Sequence, residues 1–276
     1  MHFRSTVSPA ASPVTTLGNI SSWVANDIEA SGPTMSHSVT CSTALQAIAN
    51  GFAWLKANMA QKFLAGGAEA PLTPFTVAQM KAIGIYSSLE EKLFYCRPLN
   101  QERQNTFVLG EGAAVFALEK VKRKPEPGKV ILEAIGFGFE KIKSKAGISA
   151  AGLNFQTAIT QTLNQTNSSE PIDLIIMHAP GTVAGDAAEY NALKTIFGDN
   201  AVPPITTNKF LIGHTLGASA ALSIEYALHI LQEQHYLSLP YPTILQNKSP
   251  GKIKRILISA AGFGGNAAAV LLKSST

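Results

Sequence analysis

The 276 residues include 14% charged and 46% hydrophobic side chains, with a formal net charge of +4. This composition excludes a disordered chain, and the dispersed cations exclude a dedicated nucleic-acid binder, which concentrates them in a stripe. Two cysteines, Cys41 and Cys96, are too few for a disulfide framework, so we expect a reduced, cytoplasmic protein. Because there is no signal-peptide pattern and no apolar run of about 20 residues, we expect neither secretion nor membrane insertion.

The first 120 residues alternate helical and extended patterns. Apolar residues three and four positions apart indicate helices, and short apolar runs ending in glycine indicate buried strands. The predicted elements are helices over 16–30 and 42–58 and strands over 34–40, 63–67 and 108–118.

Residues 120–129, rich in lysine and proline, mark the clearest change in composition. We interpret them as a linker between two halves, 1–120 and 130–276. In the second half, helices are predicted over 152–164, 187–197 and 218–232, and strands over 130–138, 174–178, 256–259 and 268–272, with a short strand before the last helix. This alternation predicts a layered α/β fold.

Cys41 lies between a predicted strand and a predicted helix. A thiol at a helix N-terminus is exposed to the helix dipole and to free backbone N–H groups, which favour the thiolate. The position is therefore compatible with a nucleophile, and also with a buried structural cysteine. Cys96 has no comparable context.

Two histidines stand at the ends of predicted elements. His178 ends an apolar run, and His214 is flanked by glycine and small residues before a helix. Each alone is compatible with a structural histidine. One cysteine and two histidines at such ends are also able to form an activated nucleophile with acid–base partners. No Cys-x-x-Cys or His-Glu-x-x-His spacing is present, so we predict no metal site.

Together these segments resemble the β-ketoacyl-[acyl carrier protein] synthases of thiolase fold, especially the elongating type. The similarity extends over nearly the whole chain and is carried by the order and spacing of its motifs. The matching segments are 32–44, 64–69, 97–100, 107–113, 178–189, 208–218 and 262–265.

The resemblance implies a layered α-β-α-β-α fold and a decarboxylative Claisen condensation. Cys41 would take an acyl chain as a thioester. His178 and His214 would bind the carbonyl of a malonyl thioester and promote its decarboxylation. Lys209 would supply a positive charge beside His214, and the backbone N–H groups of Cys41 and Phe263 would bind the acyl oxyanion.

The resemblance further implies substrate contacts at Thr182, Gly262 and Gly264, and no cofactor. Expected partners are an acyl carrier protein and a second subunit, either an identical chain or a full-length ketosynthase. The pathway would be the synthesis of a fatty acid, a polyene or a polyketide.

Several departures from the family pattern leave a second hypothesis open. The first quarter to third of a full-length member has no counterpart here, so we expect an incomplete N-terminal half with unpaired strand edges or exposed apolar faces. Ala179-Pro180 replaces the usual Gly-Thr, and Ser223 stands where a buried glutamate is usual. The alternative is a non-catalytic partner resembling a chain-length factor. An inactive remnant and a coenzyme A-dependent acyltransferase are further alternatives.

Overall fold

The chain divides into residues 1–38 and residues 39–276. The computed structural model describes residues 8, 17–90, 93–121, 125–142, 147–166, 168–246 and 248–275. In the first unit, a 3-10 turn over Leu17–Asn19 leads into α1, Ile20–Asp27. The Ser36 hydroxyl accepts a hydrogen bond from the Ser21 N–H at 3.2 Å and donates one to the Ser21 hydroxyl at 2.8 Å. The helix predicted over 16–30 is confirmed for this shorter span.

Residues 39–276 alternate helices and strands, as predicted. The helices are α2, Thr43–Lys56; α3, Pro74–Ile83; α4, Leu153–Asn164; α5, Val183–Phe197; α6, Lys209–Ile212; and α7, Ser219–Glu233. The strands are β1, Lys62–Glu69; β2, Gly112–Glu119; β3, Val130–Phe139; β4, Leu174–Ile176; β5, Ile205–Thr206; β6, Arg255–Gly262; and β7, Asn266–Ser274. None of the described helices is both long enough and apolar enough to cross a membrane.

The strands form two sheets of unequal size. β1 and β2 pair antiparallel in a two-stranded sheet. The other sheet has five strands in the order β3-β7-β6-β4-β5, in which β7 runs antiparallel to both of its neighbours. A tight turn joins β6 to β7, where Gly262 pairs with Asn266.

Two helices, α2 and α7, pack between the sheets. Their apolar residues share one core cluster with β1 and β2 on one side and with Ile256, Ile258 and Val270 on the other. The opposite face of the five-stranded sheet, which includes Leu257, packs against α4 and α5 in a second cluster. Because both of its faces are covered, β6 is an almost continuous apolar strand.

The strand predicted over 34–40 is wrong. Residues 34–38 have no regular secondary structure, and Val39 and Cys41 form only an isolated bridge. A strand needs a neighbour that satisfies its backbone groups, and none of the described residues pairs with this segment.

The helix α3 was not predicted, although the sequence marks both of its ends. The Thr73 hydroxyl accepts the Thr76 N–H as an N-cap, Pro74 occupies the first turn, and Gly84 ends the helix with φ of +79°. Since α3 contains no buried residue, it lacks the strong apolar stripe that indicated the other helices.

Candidate active site

Cys41 is held at the beginning of α2 by a tight turn. The preceding residue, Thr40, has a left-handed backbone with φ of +59°. The Thr43 hydroxyl closes the turn: it accepts the Val39 N–H at 3.0 Å and donates to the Thr40 carbonyl at 2.5 Å. Cys41 is thereby buried, with 7% of its surface exposed.

His178 lies two residues beyond the end of β4, and a buried carboxylate from α5 fixes the backbone there. Glu189 accepts the N–H groups of His178 and Ala179, each at 2.8 Å. The Ser259 hydroxyl of β6 donates to the same carboxylate at 2.5 Å. Ala179 has φ of +29°, a strained value for a residue with a Cβ atom, so Glu189 holds this turn against strain.

His214 lies between α6 and the turn that begins α7. Its N–H donates to the Val108 carbonyl at 2.8 Å, and its own carbonyl accepts the Gly110 N–H at 3.0 Å. In the ring, Nδ1 accepts the Leu216 N–H at 2.9 Å. The neutral ring therefore carries its proton on Nε2, which makes it a hydrogen-bond donor there.

These three side chains meet in the interior. Cys41 Sγ and one ring nitrogen from each histidine all lie within 4.8 Å of one another. The two imidazole rings are edge to face, with centroids 5.1 Å apart. Cysteine and histidine atoms at this spacing are potential zinc ligands. However, a metal-bound histidine normally donates its other N–H, whereas His214 Nδ1 accepts one, so the arrangement favours a donor over a ligand.

Burial controls the protonation of this cluster. Burial raises the pKa of Cys41 to about 12, although the positive charge of Lys209 acts to lower this pKa. It lowers the pKa of His214 to about 3 and that of His178 well below the usual value, and in both cases Lys209 adds to the effect. At neutral pH the site therefore contains a thiol and two neutral imidazoles.

Lys209 begins α6 and is almost completely buried. Burial lowers its pKa to about 8, so its charge is less permanent than the resemblance implies. Its Nζ donates to Asn208 Oδ1 at 2.9 Å and to Ser223 Oγ at 3.3 Å. Within the described part of the chain, no carboxylate forms an ion pair with it.

Thr182 caps α5, where its hydroxyl accepts the Gly185 N–H at 3.2 Å. One turn later, Asp186 accepts the N–H groups of Gly181 at 3.0 Å and Leu99 at 2.8 Å. Burial raises the pKa of Asp186 to about 7 despite these bonds. The Thr182 hydroxyl thus has a structural role as the N-cap of α5.

The turn between β6 and β7 packs against the residue before Cys41. A Cβ atom on Gly262 would lie 1.9 Å from Thr40 Oγ1, so only glycine fits at this approach. Asn266 fastens the turn, since its amide donates to the Phe263 carbonyl at 2.9 Å. The Phe263 side chain is half-exposed, and Gly264 has φ of +95°.

Two polar residues that interact with Lys209, Cys96 and Asn208, had no predicted role in the site. Cys96 is buried, and its thiol would lie 3.2 Å from a Cβ atom on Gly181. It interacts electrostatically with Lys209 and Asp186, and burial raises its pKa to about 12. Asn208, the neighbour of Lys209, accepts the bond from Nζ. No local motif around Cys96 signals this placement.

Both halves of the chain match models of one enzyme family. Residues 4–124 match the N-terminal domain of β-ketoacyl synthases, and residues 132–239 match the C-terminal domain. The chain belongs to the β-ketoacyl synthase family. This confirms the resemblance recognised in the sequence motifs.

Relatives and solved structures agree with this assignment. The chain is 30% identical to a putative polyketide β-ketoacyl synthase 1 of Streptomyces halstedii, over 92% of this chain and 63% of the relative. It is 29% identical to a 3-oxoacyl-[acyl-carrier-protein] synthase 2 of Coxiella burnetii, over 96% of this chain and 68% of the relative. The chain thus spans about two thirds of the length of these relatives.

The fold matches a ketosynthase solved in complex with a type II polyketide acyl carrier protein, with a TM-score of 0.87 at 23% identity. The superposition covers 98% of this chain and 70% of that one. A ketosynthase solved with its chain length factor from Xenorhabdus doucetiae gives a TM-score of 0.79 at 25% identity, covering 94% and 64%. These superpositions confirm the predicted thiolase-like α/β fold.

Proposed function

We propose that this chain is a ketosynthase subunit that condenses acyl and malonyl thioesters of acyl carrier proteins. The observation that carries the proposal is the cluster of Cys41 Sγ with one nitrogen each of His178 and His214, buried beside the cationic Lys209. A thiol, a proton acceptor and a hydrogen-bond donor are the groups that two successive acyl-transfer steps require.

In the first step, Cys41 attacks the acyl thioester. Its proton passes to His178, because no hydrogen bond from the described residues occupies the ring nitrogens of His178, while His214 Nδ1 already accepts the Leu216 N–H. The bond from Cys41 Sγ to the acyl carbon forms, the bond to the carrier sulfur breaks, and the carrier thiolate takes the proton. The backbone N–H groups of Cys41 and Phe263 bind the oxyanion.

In the second step, the malonyl thioester loses CO2 and leaves its electron pair in an enolate. His214 Nε2–H and the Lys209 charge stabilise the enolate oxygen. The enolate carbon attacks the acyl-Cys41 thioester, and the Cys41 thiolate leaves with the pair of electrons of the broken bond. The product is a β-ketoacyl carrier-protein thioester, and no cofactor or metal takes part.

The proposal includes substrate contacts at Thr182, the N-cap of α5, and at Gly262 and Gly264 in the β6–β7 turn, where Gly262 approaches the residue before Cys41. It also includes an acyl carrier protein and a second subunit as partners, the latter an identical chain or a full-length ketosynthase. A cytoplasmic location, in which Cys41 and Cys96 stay reduced, completes it.

One observation favours the alternative of a non-catalytic partner that resembles a chain-length factor. The outer face of the β1–β2 sheet is apolar and exposed: Leu64 is 44% exposed and Val115 54%. Faces of this kind mark contacts with another subunit. Pro180 also removes a backbone N–H close to His178, which weakens any substrate contact made there.

Intact mass spectrometry separates the two functions. The protein, with any subunit that copurifies, is incubated with short acyl carrier proteins, and Cys41→Ala is the matched control. An acyl mass gain on this chain that disappears in Cys41→Ala supports the condensing enzyme. Acylation only of a copurified ketosynthase supports the partner role. No acylation of either chain contradicts the proposed nucleophile.

A further inference from the structure

Lys209 is an exception to the rule that buried charges are paired with opposite charges. Its ammonium group is bound by two neutral oxygens, Asn208 Oδ1 at 2.9 Å and Ser223 Oγ at 3.3 Å. Ser223 is itself buried on α7, and its hydroxyl lies 3.2 Å from the Ser219 carbonyl and 3.3 Å from Asn208 Oδ1. The Ser223 oxygen is therefore held in place to accept a hydrogen bond from Lys209.

The neutral character of this partner has an electrostatic consequence. A carboxylate in hydrogen-bond contact with Lys209 would cancel most of its field at Cys41, because the pair would act as a dipole. A hydroxyl accepts the hydrogen bond without adding an opposite charge at the contact. Lys209 interacts electrostatically with six titratable groups, namely Cys41, Cys96, His178, Asp186, Glu189 and His214.

We propose that Ser223 is a positioning residue that holds the Lys209 ammonium among these groups and leaves its charge free to activate Cys41. This inference rests on the proposed role of Cys41 as the nucleophile. It assigns to α7 a function in the reaction through Ser223, which lies one turn beyond the beginning of the helix.

The inference predicts a break in the pH profile of Cys41 reactivity. Below about pH 8 the rate of alkylation rises tenfold per pH unit, because the thiolate fraction does. Above about pH 8, Lys209 loses its proton and the pKa of Cys41 rises further. The alkylation rate therefore stops increasing with pH. The probe is iodoacetamide at pH 6–10, with the Cys41 peptide quantified by mass spectrometry separately from the Cys96 peptide.

Substitutions at Ser223 should move this break in opposite directions. Ser223→Ala removes an acceptor from the ammonium and should lower the break by about one pH unit. Ser223→Glu should raise the break by more than that and slow alkylation at pH 7 about tenfold, because the carboxylate cancels the charge. Ser223→Thr keeps the hydroxyl and should restore the wild-type profile.

Ser219→Ala is the matched control. Ser219 lies one turn earlier on α7 and is equally buried, and its hydroxyl has no hydrogen-bond partner among the described residues. Its profile should match the wild type. Thermal unfolding verifies the fold of each variant, and the Ala and Thr variants suffice if Ser223→Glu does not fold.

Profiles that coincide for Ser223→Ala and Ser219→Ala, or a wild-type profile without a break, would overturn the inference. Alkylation needs no carrier protein, so the two proposals fail separately. An intact, Ser223-dependent break without acyl transfer in the mass experiment overturns only the proposed function.

Discussion

The two halves of residues 39–276 contain the same local arrangement in different surroundings. Cys41 precedes α2, which leads into β1 and its antiparallel partner β2. His214 precedes α7, which leads into β6 and its antiparallel partner β7. β6 and β7 pair further with β4 and β3, whereas β1 and β2 pair only with each other among the described strands.

The two sheets also differ in how many of their faces are covered. The five-stranded sheet is covered on both sides by helices, while the β1–β2 sheet is covered on one side and exposes Leu64 and Val115 on the other. A residue at the start of a helix is positioned by local turns, but the stability of the strand that follows depends on its neighbours. The histidine half should therefore be the more stable part of the site.

A close approach within the five-stranded half should give the largest loss of stability. A Cβ atom on Gly138 of β3 would lie 1.9 Å from the Asn154 carbonyl of α4, so Gly138→Ala forces the helix away from the sheet. We expect a loss of about 3 kcal/mol in the free energy of unfolding, measured with urea. Gly251→Ala, where no atom lies within 4 Å of the new methyl group, is the control. Equal effects of the two substitutions would contradict the packing described here.

The carboxylate that fixes His178 should give the next largest effect, with a defined dependence on pH. Glu189→Gln loses an acceptor for one buried N–H group and should cost about 2 kcal/mol at pH 5. Burial raises the pKa of Glu189 to about 7 from its usual 4.5, so the folded protein retains a proton that the unfolded chain releases between these values. Wild-type stability therefore falls as the pH rises through this range.

Glutamine does not titrate, so the cost of Glu189→Gln should be smaller at pH 8 than at pH 5. Asp186 titrates in both proteins, and because the Glu189 charge adds to the rise of its pKa, its contribution changes the difference in the same direction. Urea unfolding at the two pH values measures this difference. A cost that is the same at pH 5 and pH 8, or greater at pH 8, would show that the pKa of Glu189 is not raised.

The same substitution in the two sheets tests the comparison directly. Val270→Thr in β7 places a hydroxyl in a fully buried position and should cost about 1–2 kcal/mol in the free energy of unfolding. Val115→Thr in β2 lies at a position with 54% exposure and should change stability by less than about 0.5 kcal/mol. Equal costs in the purified protein would show that another copy of the chain covers the β1–β2 face in solution.

The smallest expected effect is a gain. Ala179 has φ of +29°, where a Cβ atom is strained, and its N–H is bound by Glu189. Ala179→Gly should relieve the strain and raise the free energy of unfolding by up to about 1 kcal/mol. A thermal melt at constant pH measures it. A loss of stability would mean that the greater freedom of the unfolded glycine outweighs the relief.

Several elements were predictable because their signals are local. The helical spacing over 42–58 and 218–232 led to α2 and α7, and the apolar runs at 63–67 and 256–259 led to β1 and β6. The strand over 34–40 was wrong because pairing needs a neighbour that the described chain does not provide. The helix α3 was missed because its exposed residues give little periodicity.

The sequence by itself determined the family, the alternation of helices and strands, and the identity of Cys41, His178 and His214 as candidates, because motif order and apolar spacing are properties of the linear chain. Only the tertiary structure decided that these side chains meet, that His214 donates from Nε2 and that Lys209 is bound by neutral oxygens. It also decided that Cys96 lies near Lys209 and that one sheet face is exposed. Burial and hydrogen bonding between distant segments set pKa values and tautomers, and neither can be derived from spacing along the chain.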